Sequence, residues 1–177
     1  MASYCIIMTM TRTVQKKICL LGDFAVGKTS LVRRFVYQRF EEKYQSTIGV
    51  NISRKALQLN QHEHMQMVIW DLAGGEEFSG PQANYIKGAS GAMLVCDLTR
   101  AITLSTLRLY AADLQAASPG AALVIVANKS DLVAQRVLAE AQLAELAAEL
   151  QAPLFMTSAK NDENVEAAFA TLASIIA

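Results

Sequence analysis

The chain has no net charge, few cysteines and no long apolar run, and each shortage excludes a class of protein. Sixteen Lys and Arg balance sixteen Asp and Glu, so no overall field draws the chain to polyanions. A general nucleic-acid binder would carry a basic excess, and none is expected as a partner here. The three cysteines, Cys5, Cys19 and Cys96, form no C-x-x-C pair. Neither a disulfide framework nor a zinc site is implied, and Cys19 and Cys96 read as reduced thiols inside apolar runs. No apolar stretch approaches the roughly 18 residues that span a bilayer. Ser3, Tyr4 and Thr9 interrupt the first ten residues and no Lys or Arg precedes them, which makes a poor signal peptide. Repeats, linkers and low-complexity blocks are absent as well.

What is present is a chain of 177 residues, 53% hydrophobic and 18% charged. That length favours one domain, and at that size roughly 70% of the unfolded surface is buried on folding. Residues 1–14 read as a loose N-terminal extension and 15–177 as the domain. Short apolar runs alternate with helical patterns. Lys17–Leu21 ends at Gly22, and Leu31, Val32, Phe35 and Val36 then recur at helical spacing. Asn51–Leu59 and Met65–Asp71 flank a polar connection and read as a hairpin. Ala92–Cys96 and Ala122–Ala127 are buried strands. One helix is expected through Leu104, Leu107, Tyr110 and Leu114, and another in the Ala/Leu-rich segment from Ala134. Pro153–Thr157 is a last strand, followed by a closing helix capped by Asn161 or Asp162. The fold class is therefore α/β: a mostly parallel sheet with one antiparallel edge strand and helices on both faces.

The first strand runs into Gly22-Asp23-Phe24-Ala25-Val26-Gly27-Lys28-Thr29-Ser30. This is G-x-x-x-x-G-K-[ST] in the strand–loop–helix setting its chemistry requires. Such a loop curls so that its backbone N–H groups converge on phosphate oxygens at a helix N-terminus. Lys28 would reach the β- and γ-phosphates and the Thr29 hydroxyl would ligate Mg²⁺. Asp71-Leu72-Ala73-Gly74 ends a later strand, where the carboxylate can hold Mg²⁺ through water and the Gly74 N–H can approach a γ-phosphate. Asn128-Lys129-Ser130-Asp131 and Ser158-Ala159-Lys160 each follow a strand, at the sheet edge where such folds bind ligands.

These motifs, in this order, resemble the Ras superfamily of small GTPases, and most of all its Rab-like members. The resemblance covers nearly all of the chain after the extension. It implies a six-stranded P-loop G domain that binds GTP and GDP with Mg²⁺. Asp131 would accept the guanine N1–H and amine, a donor pair adenine lacks; a buried carboxylate built for it rejects the analogue by a factor of order 10⁴. Asn128 would contact the base edge, Lys129 pack across its face, Ala159 N–H meet its carbonyl, and Phe40 pack against it. Tyr44-Gln45-Ser46-Thr47-Ile48-Gly49-Val50 resembles Rab switch I, with Thr47 a second Mg²⁺ ligand when the γ-phosphate is present. Lys28, Thr47 and Gly74 are the catalytic candidates. The resemblance also implies effector, exchange-factor and activating-protein contacts through switch I (about Phe40–Val50) and switch II (about Asp71–Tyr85). Trp70 and Tyr85 match two of three aromatics at a Rab effector surface, Ile52 replacing the third; plain core packing explains them equally.

Three departures qualify this picture. Gly75 stands where active members carry the Gln that orients the attacking water. Phe24 stands in the phosphate loop where Gly or Ser is usual, and its ring would crowd the γ-phosphate and any arginine finger. Slow hydrolysis is expected, since one lost transition-state contact typically costs about 10²–10³ in rate; Glu76 or Glu77 offers a substitute. The alternative is a non-hydrolysing GTP-binding interaction module held in its active conformation. Third, no cysteine lies near Ile175-Ile176-Ala177 and position 2 is not Gly, so no lipid anchor is expected. The expectation is a cytoplasmic monomer. His62 and His64 read as a solvated turn.

Overall fold

The computed structural model describes residues 12–41, 47–60, 62–75 and 83–177. A six-stranded sheet in the order β2-β3-β1-β4-β5-β6 organises them. In β1 (Arg12–Leu21), Ile18 and Leu20 face one way and Cys19 and Leu21 the other, the period-2 alternation of any strand. β4 (Gly91–Asp97) and β5 (Ala122–Asn128) repeat it: Met93, Val95, Val124 and Val126 join the first face, and Ala92, Leu94, Cys96, Ile125 and Ala127 the second. Both faces are covered, which is why these strands read as unbroken apolar runs. α1 (Lys28–Tyr37) and α6 (Val165–Ile176) cover the first face, where Phe35 and Phe169 stack with centroids 3.9 Å apart. α4 (Leu107–Ala117) and α5 (Glu140–Glu149) cover the second through Leu107, Leu114, Leu143 and Leu146.

β2 (Val50–Gln58) and β3 (Glu63–Leu72) form the expected antiparallel hairpin, with β2 at the sheet edge. Every other pairing is parallel, including β5 with β6 (Leu154–Thr157). β1 lies between β3 and β4. The connection after β1 therefore runs to the β2–β3 side and the one after β3 to the β4 side, opening a crevice at the carboxyl ends of the strands.

Four local expectations are corrected. Arg12, Thr13 and Val14 pair with Glu63, His64 and Met65, so β1 starts before residue 15 because its partner strand extends that far. The helix through Leu104 divides into α3 (Ile102–Ser105) and α4. The Thr106 hydroxyl donates to the Thr103 carbonyl at 3.2 Å, and such back-bonding tightens a turn. α5 begins only at Glu140, because Val137 and Leu138 N–H groups donate to Leu98 O in the preceding extended stretch. Neither Asn161 nor Asp162 caps α6. Asn164 occupies that position with φ 54°, and its side chain donates to Met156 O instead. A short helix, α2 (Ala83–Ile86), precedes β4. Among the described residues no helix is long and apolar enough to cross a membrane.

Candidate functional site

The phosphate-loop sequence lies between the end of β1 and the start of α1, in the crevice beside β3 and β4. The loop is packed so closely that a Cβ on Gly27 would lie 2.2 Å from Asn128 Nδ2, and Gly27 itself has φ 101°. Only glycine fits there. A Cβ on Gly74 would lie 2.5 Å from the Asp23 carbonyl carbon and oxygen and from Lys28 Nζ. The loop after β3 is thus pressed directly against the phosphate loop.

A cavity of about 380 Å³ opens over these loops. Its lining includes Phe24, Ala25, Gly27, Lys28, Thr29 and Ser30 from the phosphate loop. Phe40, Thr47 and Gly74 line it too, and Asn128, Lys129, Asp131, Ala159 and Lys160 close its far end. Three of the residues expected to bind the nucleotide do not line it, and neither does Asp71. Val26 is fully buried in the core. Asp23 turns its carboxylate to the Tyr110 hydroxyl at 3.1 Å, and its carbonyl accepts from Lys28 Nζ at 2.9 Å. Ser158 is buried behind Asp131, to whose Oδ1 its hydroxyl donates at 2.6 Å. Residues 42–46 and 76–82 lie outside the described residues, and with them the expectations for Tyr44, Gln45, Ser46, Glu76 and Glu77.

Lys28 is a buried cation, donating also to Gly22 O at 2.7 Å. Burial pulls its pKa down to about 8, against the pull of Asp71 and Asp23. A buried ammonium held by neutral carbonyls is suited to an anion arriving from the cavity. Beside it, the Thr29 hydroxyl donates to Asp71 Oδ2 at 2.6 Å and lies 2.7 Å from the Thr47 hydroxyl. Asp71 is 1% exposed, and its Oδ1 is buried without a hydrogen-bond partner among the described residues. Burial pushes its carboxyl above the usual carboxylate range, opposed by the Thr29 bond and Lys28. An orphaned carboxylate oxygen beside two hydroxyls is an all-oxygen donor set that fits a hydrated hard cation.

The far end is built by Asn128, at 2% exposure. Its Nδ2 donates to Val26 O at 2.9 Å, and its Oδ1 accepts the Thr157 hydroxyl at 3.2 Å and the Ala159 N–H at 3.3 Å. This side chain ties three loops together, a role its motif position does not announce. Lys129 has φ 70° and places Nζ 2.6 Å from Asp97 Oδ2. Phe40 packs its ring on the core beside α1.

Several residues of the site carried no signal in the sequence. Asp97, at the end of β4, is 1% exposed. Desolvation works against its charge, but the bonds from Lys129 and Thr99 outweigh it and hold its carboxyl below the usual range. Asp97 also pairs with Arg100 at 3.2 Å, and Arg100 donates to Phe24 O at 2.6 Å. Arg34 of α1 donates to Ala159 O at 2.9 Å and to Lys160 O at 2.8 Å, fixing the last loop. Arg33 lines the cavity and pairs with Glu41. Lys129 reaches Asp97, Arg100 reaches Phe24 and Arg34 reaches Ala159 and Lys160 across long sequence separations, so only folding reveals those bonds.

Trp70 and Tyr85 lie 6.2 Å apart between ring centroids, tilted by 40°. Both are half-buried against the core, and Lys17 Nζ covers the Trp70 ring at 4.1 Å. Ile52 is the cross-strand partner of Trp70 and is 41% exposed. The three form one patch at the hairpin end of the sheet, partly core and partly surface.

The sequence matches the Ras family over residues 17–177. It is 37% identical over 163 residues to the GTP-binding protein ypt5 of Schizosaccharomyces pombe, covering 91% of this chain and 77% of that protein. It is 38% identical to human Ras-related protein Rab-22A, covering 86% of this chain and 79% of the relative. Ras-related protein SEC4 of Saccharomyces cerevisiae is also 38% identical, over 90% of this chain and 74% of its own length. The family match over nearly the whole chain, with these relatives, makes the chain a Rab-like small GTPase of the Ras family.

Proposed function

We propose that the chain is a GTP/GDP switch that uses Mg²⁺ and hydrolyses GTP slowly. The backbone of Asp23–Thr29 and Lys28 would hold the phosphates. Thr29, Thr47 and, through water, Asp71 would hold Mg²⁺, which when bound neutralises charge on the β- and γ-phosphate oxygens. Asp131, oriented by Ser158, would read the guanine N1–H and amine, and Lys129, Phe40 and the Ala159 N–H would frame the base. Asn128 would contact the base edge with its second amide N–H, since the first serves Val26 O and its oxygen accepts from Thr157 and Ala159.

One observation carries the slow rate. Gly75 sits at φ 100°, with the position of a Cβ 3.8 Å from that of Phe24. The family's water-orienting Gln is missing from this position, and Phe24, 50% exposed, overhangs the same space. Lys28 and the Gly74 N–H remain to stabilise charge, so the electrostatic part of catalysis is retained while the water is not oriented. Effectors and an exchange factor would read switch I and switch II, with the Ile52, Trp70 and Tyr85 patch between them. We place the protein in the cytoplasm as a monomer.

The test is single-turnover hydrolysis of GTP preloaded on the purified chain with Mg²⁺. A half-life many times longer than about half an hour, the scale of intrinsic Ras hydrolysis, is expected. A half-life at that scale would show that another group orients the water. GTP surviving for days would favour the non-hydrolysing interaction module, to which the overhanging Phe24 also points.

A further inference from the structure

Arg100 follows β4 and ties the phosphate loop to a buried carboxylate. A tight turn fixes its backbone: its N–H donates to Asp97 O at 2.9 Å, and its carbonyl accepts the Thr103 hydroxyl at 2.7 Å. From that fixed base the guanidinium bonds in two directions. Nε donates to Asp97 Oδ2 at 3.2 Å, and Nη2 donates to Phe24 O at 2.6 Å. Asp97 Oδ2 also holds Lys129 Nζ at 2.6 Å, while Oδ1 accepts the Thr99 N–H and hydroxyl. One carboxylate therefore anchors a side chain of the base loop and a side chain that grips the phosphate loop.

The bond to Phe24 O fixes the peptide group that joins Phe24 to Ala25. That peptide is trans, so its N–H points away from its C=O. The carbonyl faces Arg100, which does not line the cavity, whereas Ala25 does. This turns the Ala25 N–H away from Arg100, to the side where Ala25 meets the cavity. Ala25 itself has φ 61°, a left-handed conformation that a residue with a Cβ keeps only when its surroundings hold it. Successive N–H groups in such a loop make a concave seat for an anion.

We propose that Arg100 is a positioning residue for the phosphates: by gripping Phe24 O it holds the Ala25 N–H aimed at the phosphate oxygens of the bound nucleotide. The inference rests on the nucleotide reading above. A guanidinium suits this task because its planar fork reaches a carboxylate and a carbonyl at once, in a fixed geometry that an ammonium lacks. An arginine that served only as the ion-pair partner of Asp97 would be replaceable by lysine. Its loss would leave the Ala25 N–H where it was.

The experiment compares the whole chain with Arg100→Lys, which keeps the charge beside Asp97 and loses the fork, and with Arg100→Ala. The amide proton of Ala25 is followed by NMR of the isotope-labelled chain as GDP is added with Mg²⁺, and release of fluorescent GDP is timed. In the wild-type chain the Ala25 signal is expected to move downfield on GDP binding, as an amide that bonds a phosphate does. In both variants that movement should shrink and GDP release should quicken by about three- to tenfold, the scale of one net hydrogen bond. A Lys variant that matches the wild type in both readouts would overturn the proposal. Faster release with the Ala25 signal moving as in the wild type would overturn it too. One decisive readout needs no variant: a wild-type Ala25 amide that ignores bound GDP would equally sink the idea. A wild-type chain that bound no guanine nucleotide would instead remove the underlying reading, so the two failures are distinguishable.

Discussion

Asn128 Nδ2 donates to Val26 O across 2.9 Å, bonding the loop after β5 to the phosphate loop after β1. Truncating this side chain strips partners from Val26 O, the Thr157 hydroxyl and the Ala159 N–H at once. A buried polar group left unpaired costs about 1–3 kcal/mol. Asn128→Ala is therefore expected to lower unfolding free energy by at least that much and to speed release of any guanine nucleotide, GDP included. Chemical denaturation and nucleotide dissociation check both halves; a variant with unchanged stability would show that water replaces the side chain.

Restoring the water-orienting group should take two changes. Gly75 has φ 100°, a backbone region that side-chain-bearing residues rarely adopt, and Phe24 Cβ already borders it. Gly75→Gln alone is expected to raise single-turnover hydrolysis little. Gly75→Gln with Phe24→Ser should raise it by about 10²-fold, within the range of one recovered transition-state contact. Failure of the double variant to accelerate hydrolysis would remove these two residues as the cause of the slow turnover we propose.

Lys28 makes nucleotide binding sensitive to alkaline pH. Its pKa is about 8, below its ordinary 10.5, because burial disfavours the charge. A phosphate ligand favours the ammonium, so above that pH binding must take up a proton. Affinity is expected to be flat near pH 7 and to fall by at most about tenfold per unit above pH 8. Stability of the empty protein runs the other way. Between about 8 and 10.5 the unfolded chain holds more protons at this site than the folded one, so this group's contribution rises with pH. Titration of affinity and melting temperature over pH 7–10 separates the two trends.

Cys19 and Cys96 should report unfolding. Both are fully buried, and desolvation pushes each thiol up to about 12. The thiolate is the reactive form, and at pH 8 it is about 10⁻⁴ of such a population. Alkylation of these two positions, followed by peptide mass spectrometry, is expected only once denaturant opens the sheet. Rapid labelling in native buffer would show local opening of β1 or β4.

A core substitution gives the scale for the fold itself. Phe169 is fully buried and stacked on Phe35 between α1 and α6. Phe169→Ala is expected to cost about 3–5 kcal/mol in a denaturation experiment.

Most of the architecture was legible because it rests on local patterns. β1, β4 and β5 declared themselves as apolar runs, α1 and α6 as helical stripes, and the β2–β3 hairpin by its polar turn. Boundaries were less legible where the deciding contact is distant. β1 reaches back to Arg12 because β3 offers partners, and α5 starts late because Leu98 O holds Val137 and Leu138 extended.

The sequence by itself determined which groups are available: a glycine-bordered lysine loop, an aspartate at a strand end and the Asn128–Asp131 run after a later strand, in an order that resembles the family. It also exposed the missing Gln at Gly75. Tertiary structure alone decided how those groups are held. Asp97 finds Lys129, Arg34 finds the Ala159 and Lys160 carbonyls, and Tyr110 finds Asp23. Periodicity and motif spacing are properties of neighbours along the chain. These bonds join groups that become neighbours only when the parallel strands bring their carboxyl ends to one edge of the sheet.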